Sequence, residues 1–141
     1  MAKPKKNLRA SVCEAIRRLL PDPVREEGSS DSLTLTAGDP GLVVVTLDDE
    51  GVGVGIFQVR WEGPHTPVPY TRPLARVGWS DFHDQGEEAV VAVHLLVQAA
   101  AVVRRAAFRR CRYCGDNTPP EWWHGKDACQ GCAERHLGVV H

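Results

Sequence analysis

The chain has almost no excess of either charge, and its sequence suggests no apolar run long enough for a bilayer. Seventeen lysines and arginines stand against eighteen aspartates and glutamates in 141 residues, a net charge of −1. That balance excludes a protein that coats nucleic acid by bulk charge alone. The greasiest stretch, residues 89–103, contains His94 and Gln98 and falls short of the about 20 apolar residues a spanning helix needs. No uncharged apolar segment follows the lysine-bearing start, because Glu14, Arg17 and Arg18 interrupt the only candidate; a secretory signal is not expected. Glycine-rich phosphate loops, a nucleophile elbow, internal repeats and low-complexity tracts are all missing from the sequence. The expected location is a reducing cytoplasm, where five cysteines read as metal ligands plus a leftover rather than a disulfide frame.

What is present describes an ordinary folded domain. Hydrophobic residues make up 43% and charged residues 25%, which excludes wholesale disorder. The length suffices for one core and a small appendage. Charge is distributed as a mosaic: residues 1–20 carry +5, residues 21–50 carry −7, residues 51–100 carry −2 and residues 101–141 carry +3. Two basic ends therefore flank an acidic belt, either as a soluble surface or as a means of meeting a polyanion or acidic partner.

Leu8, Val12, Ile16, Leu19 and Leu20 recur at helical spacing after a basic arm (1–7), and Pro21-Asp22-Pro23 stops the helix. Residues 22–31 read as a polar linker. β-Branched runs at 33–36, 42–47 and 52–61, separated by turn sequences, predict an antiparallel meander. Gly53 and Gly55 in its last run suggest a bulge or a close approach by another backbone. The proline-rich stretch 62–73 is expected to be a loop, with a short fourth strand at 76–79. Asp84 with Glu87 looks like a capping box opening a long, largely buried helix to about Arg110. Such a helix would overhang the sheet and carry Arg104, Arg105, Arg109 and Arg110 beyond it. The fold expected is α+β: a three- to four-stranded antiparallel meander packed on an N-terminal and a long C-terminal helix over residues 1–110. A small zinc finger at 111–141 would complete it.

Cys111-Arg112-Tyr113-Cys114-Gly115 and Cys129-Gln130-Gly131-Cys132 form two CxxC pairs fourteen residues apart. Two residues between cysteines let both thiolates reach one ion from a single turn, and the glycine after the first pair permits a left-handed backbone there. Four thiolates at Cys111, Cys114, Cys129 and Cys132 are the donor set of a closed, structural zinc site; an iron–sulfur centre and a redox-active pair are the alternatives. The motif resembles treble-clef and ribbon fingers over residues 111–136, and the run from Cys129 to His136 is similar to the finger of DksA/TraR-type transcription regulators. That resemblance implies contact with the transcription machinery. HNH nucleases share paired CxxC motifs but place their catalytic unit between the pairs, and fourteen residues are too few for it. His136 reads either as a replacement ligand or as an imidazole donating to a thiolate. Arg110, Arg112, Lys126 and Arg135 have an electrostatic reason to sit near a site of formal charge −2.

Function then rests on few features. Arg104, Arg105, Arg109 and Arg112 fall within about 140° of a helical wheel, either as cations balancing a helix end or as a patch gripping phosphate. Trp122 and Trp123 either shield the finger or offer an aromatic platform for single-stranded bases. Asp81 and His83, with Asp84, are the sole acid–base candidates; His94 and Gln98 read as a core pair, and Cys13 as a small apolar residue. The expectation is a non-enzymatic, cytosolic zinc-binding regulatory or adaptor protein with no catalytic residues, binding nucleic acid or the machinery acting on it. Two alternatives remain open. One is a protein–protein adaptor that forms a homodimer through its sheet or long helix; the other is a small hydrolase-like enzyme using Asp81 and His83.

Overall fold

A computed structural model describes residues 6–138; most of the basic arm (1–7) and the last three residues lie outside that range. Helix α1 (Lys6–Leu19) leads into five strands, β1 (Val24–Gly28), β2 (Leu33–Ala37), β3 (Val43–Asp48), β4 (Gly51–Trp61) and β5 (Pro67–Gly78). They pair in sequence order as one antiparallel meander. Helices α2 (Trp79–Asp84) and α3 (Gly86–Ala106) follow. Short strands β6 (Arg109–Arg110), β7 (Asn117–Thr118), β8 (Trp123–His124) and β9 (Ala128–Cys129) and helix α4 (Gln130–Leu137) complete the chain. The α+β architecture and the meander are those expected, with one strand more.

The alternation in the strands decides which face is buried. Val43, Val45 and Leu47 of β3 and Val52, Val54 and Ile56 of β4 share one side of the pleat. They form a single core with Val12 and Ile16 of α1, Trp79 and Phe82 of α2, and Ala89, Val93, Val97 and Ala100 of α3. The indole of Trp79 donates to the carbonyl of Asp48 at 2.6 Å, fixing α2 against the β3–β4 turn. In that turn Asp48 accepts from the amides of Glu50 (2.9 Å) and Gly51 (3.3 Å) and from Arg76 at 2.7 Å.

Both segments read as linker or loop are strands at the two edges of the sheet. β1 lies within the polar 22–31 stretch and has Val24 as its one apolar side chain; its ladder with β2, Val24 opposite Ala37 to Gly28 opposite Leu33, is what orders it. β5 takes in most of the proline-rich stretch. Pro67, Pro69 and Pro73 share one parity, so their nitrogens can all face the open side, where no ladder bond is lost. Charged side chains on one edge and prolines on the other are common protection against further strand addition. The register shifts between Val54 and Gly55. A Cβ on Gly55 would lie 2.8 Å from the carbonyl oxygen of Arg72, so the bulge and the close backbone approach occur at the same glycine.

Helix α3 departs from expectation in four respects. Its N-cap is Gln85, without a side-chain capping bond, because Asp84 instead closes α2 and faces His83 at 3.2 Å. It ends at Ala106, so its length of about 31 Å does not exceed the about 36 Å of the eleven-residue β4, and there is no overhang by length. It is also far from buried all round: Val91, Leu95, Val102 and Val103 are exposed. Contrary to the expectation from its sequence, the 21-residue helix, with mean hydropathy 1.6 over an 18-residue window, is by length and composition alone long and apolar enough to cross a bilayer; its inner face is part of the core just described.

Candidate metal centre and its attachment to the sheet

Three local structures bring the cysteines together. The β6–β7 hairpin turns through Cys111 to Cys114, with the amide of Cys111 donating to Asp116 and that of Gly115 donating back to Cys111, both at 2.9 Å. Gly115 has φ +76, the left-handed geometry its position after the pair called for. The β8–β9 hairpin delivers Cys129, which N-caps α4: its sulfur accepts from the amide of Cys132 at 3.4 Å, one turn into the helix. A bond from the amide of Arg112 to the carbonyl of Asp127, 2.7 Å, ties the first turn to the second hairpin.

The four sulfurs lie within 4.8 Å of one another, and those of Cys114 and Cys129 are 4.0 Å apart. A tetrahedral ion with metal–sulfur bonds of about 2.3 Å requires sulfurs about 3.8 Å apart, so the cage is of the right size. Backbone amides already point at the sulfurs. Cys111 is held down to about 6 by hydrogen bonding to the backbone of Cys114, Cys129 and Tyr113, against the opposing effect of burial. At Cys114 the amide of Asp116 pulls the same way, yet burial and the three neighbouring sulfurs prevail and push the thiol up to about 12. Such a set cannot ionise fully without a cation among the sulfurs. Arg135 donates to the sulfur of Cys132 at 3.2 Å, as the electrostatic argument requires. Arg110 instead reaches the carbonyl of Gly115, and Arg112 pairs with Asp127 at 3.5 Å.

His136 is not part of the cage. Its ring stacks on Tyr113, centroids 4.7 Å apart and planes 10° apart, and no histidine joins the cysteine cluster among the described residues.

The arginines expected on one arc are separated. Arg104 is buried, whereas Arg105 is exposed at the end of α3 and Arg109 and Arg112 belong to the finger. The Arg104 guanidinium donates from Nε to the carbonyl of Gly41 (3.0 Å), from Nη1 to Glu121 Oε2 (3.1 Å) and from Nη2 to Glu121 Oε1. The rings of Phe57 and Phe108 lie 5.4 and 5.1 Å from its centre. Glu121, which the sequence reading passed over, is the joint between finger and sheet. Its carbonyl also accepts from Trp61 Nε1 of β4 at 3.2 Å and from Gln130 Nε2 of α4 at 3.1 Å. Its local sequence, Pro120-Glu121-Trp122, carries no signal of this role.

The two finger tryptophans differ. Trp123 is partly buried and donates to the carbonyl of Thr118 at 2.7 Å, shielding the finger. Trp122 is exposed and meets Trp61 edge to face, centroids 6.4 Å apart and planes at 88°. Together with Trp123, His65, Pro120 and Glu134 they line an open groove of about 600 Å³ between the finger and the β4–β5 hairpin. No arginine lines it among the described residues. Elsewhere, His83 and Asp84 are largely exposed on α2, Gln98 is exposed rather than in the core, and Cys13 packs on the core from α1.

No family model matches the chain, and neither a search of curated proteins nor one of solved structures finds a match. The likeness of residues 129–136 to DksA/TraR-type fingers thus has no family match behind it.

Proposed function

We propose that the protein is a zinc-stabilised adaptor that binds a protein partner rather than catalysing a reaction. Zinc is the ion that four thiolates in a cage of this size suit best, and four sulfurs leave it no open position for water or substrate. The succession of cysteine-bearing hairpin, second hairpin and helix opening on the second pair supports a treble-clef finger. The observation that carries the reading is the groove walled by Trp61 from the sheet and Trp122 from the finger. Rigid aromatic side chains at a fixed junction are what binding sites for protein segments use as anchors, and here the junction is fixed by Glu121.

The deciding experiment is affinity capture with the zinc-loaded chain, with and without nuclease, beside a Trp61→Ala/Trp122→Ala variant. A partner that survives nuclease and is lost with the tryptophans supports the adaptor. Capture unchanged in the variant moves the binding surface elsewhere.

Contact with nucleic acid is the second reading, favoured by the exposed Arg105, Arg109, Arg110 and Arg112 around the finger. It requires affinity that falls by about 0.7–0.9 log units per log unit of salt for each phosphate contact. Fluorescence anisotropy with duplex and single-stranded oligonucleotides at about 50 and 200 mM salt tests it, and replacing Arg105 and Arg109 together should flatten the slope by about two contacts. A wild-type chain that binds neither oligonucleotide at the lower salt would remove this reading.

A further inference from the structure

The outward face of α3 has a pattern of its own. Glu88, Val91, Leu95, Gln98, Val102 and Arg105 follow one another at alternating steps of three and four, and all six are exposed. They lie nearly opposite the buried stripe of Ala89, Val93, Val97, Ala100 and Arg104. The apolar members are open to an unusual degree: 55% for Val91, 60% for Leu95 and 65% for Val102. This is the spacing of a two-helix seam, on a helix whose other side is already committed to the core.

The order of the residues says what fits it. The pattern is symmetric about the point between Leu96 and Val97. Laid antiparallel on itself, the stripe sets Val91 against Val102, Leu95 against Gln98 and Glu88 against Arg105. Each contact occurs twice, as a two-fold axis requires. The acidic member stands at the helix N-terminus and the basic one at the C-terminus, so the ends attract in the antiparallel arrangement and each charge also suits its own helix end. A parallel arrangement would set Glu88 beside Glu88 and Arg105 beside Arg105. Next to the seam, the groove between α1 and α3, lined by Leu19, Pro21, His94 and Val102 among others, offers about 590 Å³ for flanking side chains.

We propose that this face pairs with the same face of a second copy, α3 against α3, antiparallel about a two-fold axis. The seam runs about 31 Å along helices 8–10 Å apart, a contact below about 1,200 Å² in all, so the dimer belongs among weak, reversible ones. It is independent of the zinc cage and of the tryptophan groove, on other parts of the molecule.

Sedimentation equilibrium of the full zinc-loaded chain from about 5 to about 500 µM, the range in which small interfaces associate, tests the pairing. The wild type should pass from monomer to dimer within that range. Leu95→Glu should weaken association by about 100-fold or more, with an unchanged circular dichroism spectrum because the side chain is exposed. Glu88→Arg and Arg105→Glu should each weaken it several-fold, up to about 30-fold for two pairs, and the double charge exchange should restore it. A wild-type monomer throughout, or a dimer insensitive to the charge exchanges, overturns the proposal. So does sedimentation of the monomer with phosphatidylcholine vesicles holding about 30% phosphatidylserine and its loss in Leu95→Glu, which would assign the face to a lipid surface.

Discussion

Arg104 on α3 and Glu121 in the finger form a two-pronged ion pair whose side chains are 3% and 4% exposed. Removing one partner leaves the other charge buried, which costs about 3–5 kcal/mol in such settings. Glu121→Gln should therefore lower the stability of the zinc-loaded protein by several kcal/mol in urea unfolding. The double change Arg104→Met/Glu121→Leu should recover most of that loss, since neither charge is then stranded. A single-variant cost below about 1 kcal/mol would mean that water reaches the pair as it does a surface one.

The metal prediction concerns stoichiometry and order. Elemental analysis of the purified chain should give one zinc per molecule, and Cys111→Ser or Cys132→Ser should lose it. Apparent binding energies of about 10–16 kcal/mol are usual where zinc folds a small module. Chelation should accordingly raise hydrogen exchange in residues 109–137 well before the core strands respond. Iron with visible absorbance, or a metal-free chain with a protected finger, would contradict the assignment.

Acid should weaken the β3–β4 turn. Burial pushes the Asp48 carboxyl up, but the bond from Arg76 and the amides of Glu50 and Gly51 outweigh it and hold the group below its ordinary value. Its folded-state value is thus depressed, so its stabilisation is fully present above the unfolded value of 3.8 and fades as pH falls through the folded one. Asp48→Asn should cost about 1 kcal/mol near neutrality and nearly nothing at the acid end of a melting series. A difference that does not vary with pH would show that lost turn geometry, not charge, is responsible.

Two glycines two residues apart should behave differently. A methyl group at Gly55 meets the Thr71 methyl at 2.4 Å and the backbone of Arg72, whereas at Gly53 its one close contact is a side-chain atom, the Thr46 hydroxyl oxygen at 2.6 Å, with no backbone nearby. Gly55→Ala is expected to cost about 1–3 kcal/mol, the usual range for overpacking, and Gly53→Ala distinctly less. Thermal melts of the two variants side by side decide it; equal losses would place the bulge elsewhere.

What the sequence revealed follows from how each feature is encoded. The central strands, α1 and the four cysteines carry their signal locally, in alternation, helical period or ligand spacing, and the structure has them within a residue or two. The edge strands carry little: only residues 76–78, at the end of β5, were expected as strand. Val24 to Gly28 is polar and Pro67 to Pro73 proline-rich, so each becomes a strand only because a neighbour's ladder is available to it. Arg104 was legible in principle: the inward stripe of Ala89, Val93, Val97 and Ala100, in steps of three and four, leads directly onto it. Counting it with Arg105 and Arg109 as one basic arc assumed a helix running on past Ala106. Glu121 could not be read, since its role depends on an arginine seventeen residues away in sequence and a tryptophan sixty residues away. The groove it helps to set has no sequence signature beyond the tryptophans themselves.

Because Glu121 binds the sheet and α3 while belonging to the finger, zinc affinity and the stability of the α+β body are conjugate quantities. Whatever factor an intact Arg104 contact adds to metal binding, metal binding must return to the packing around Arg104. Loss of the ion would free the segment that carries the only carboxylate paired with Arg104 among the described residues, and the penalty would reach the far end of α3 as well as the cysteines. The folded fraction of the whole chain would then rise and fall with the free zinc around it, by the ordinary mass action of a ligand on its native state.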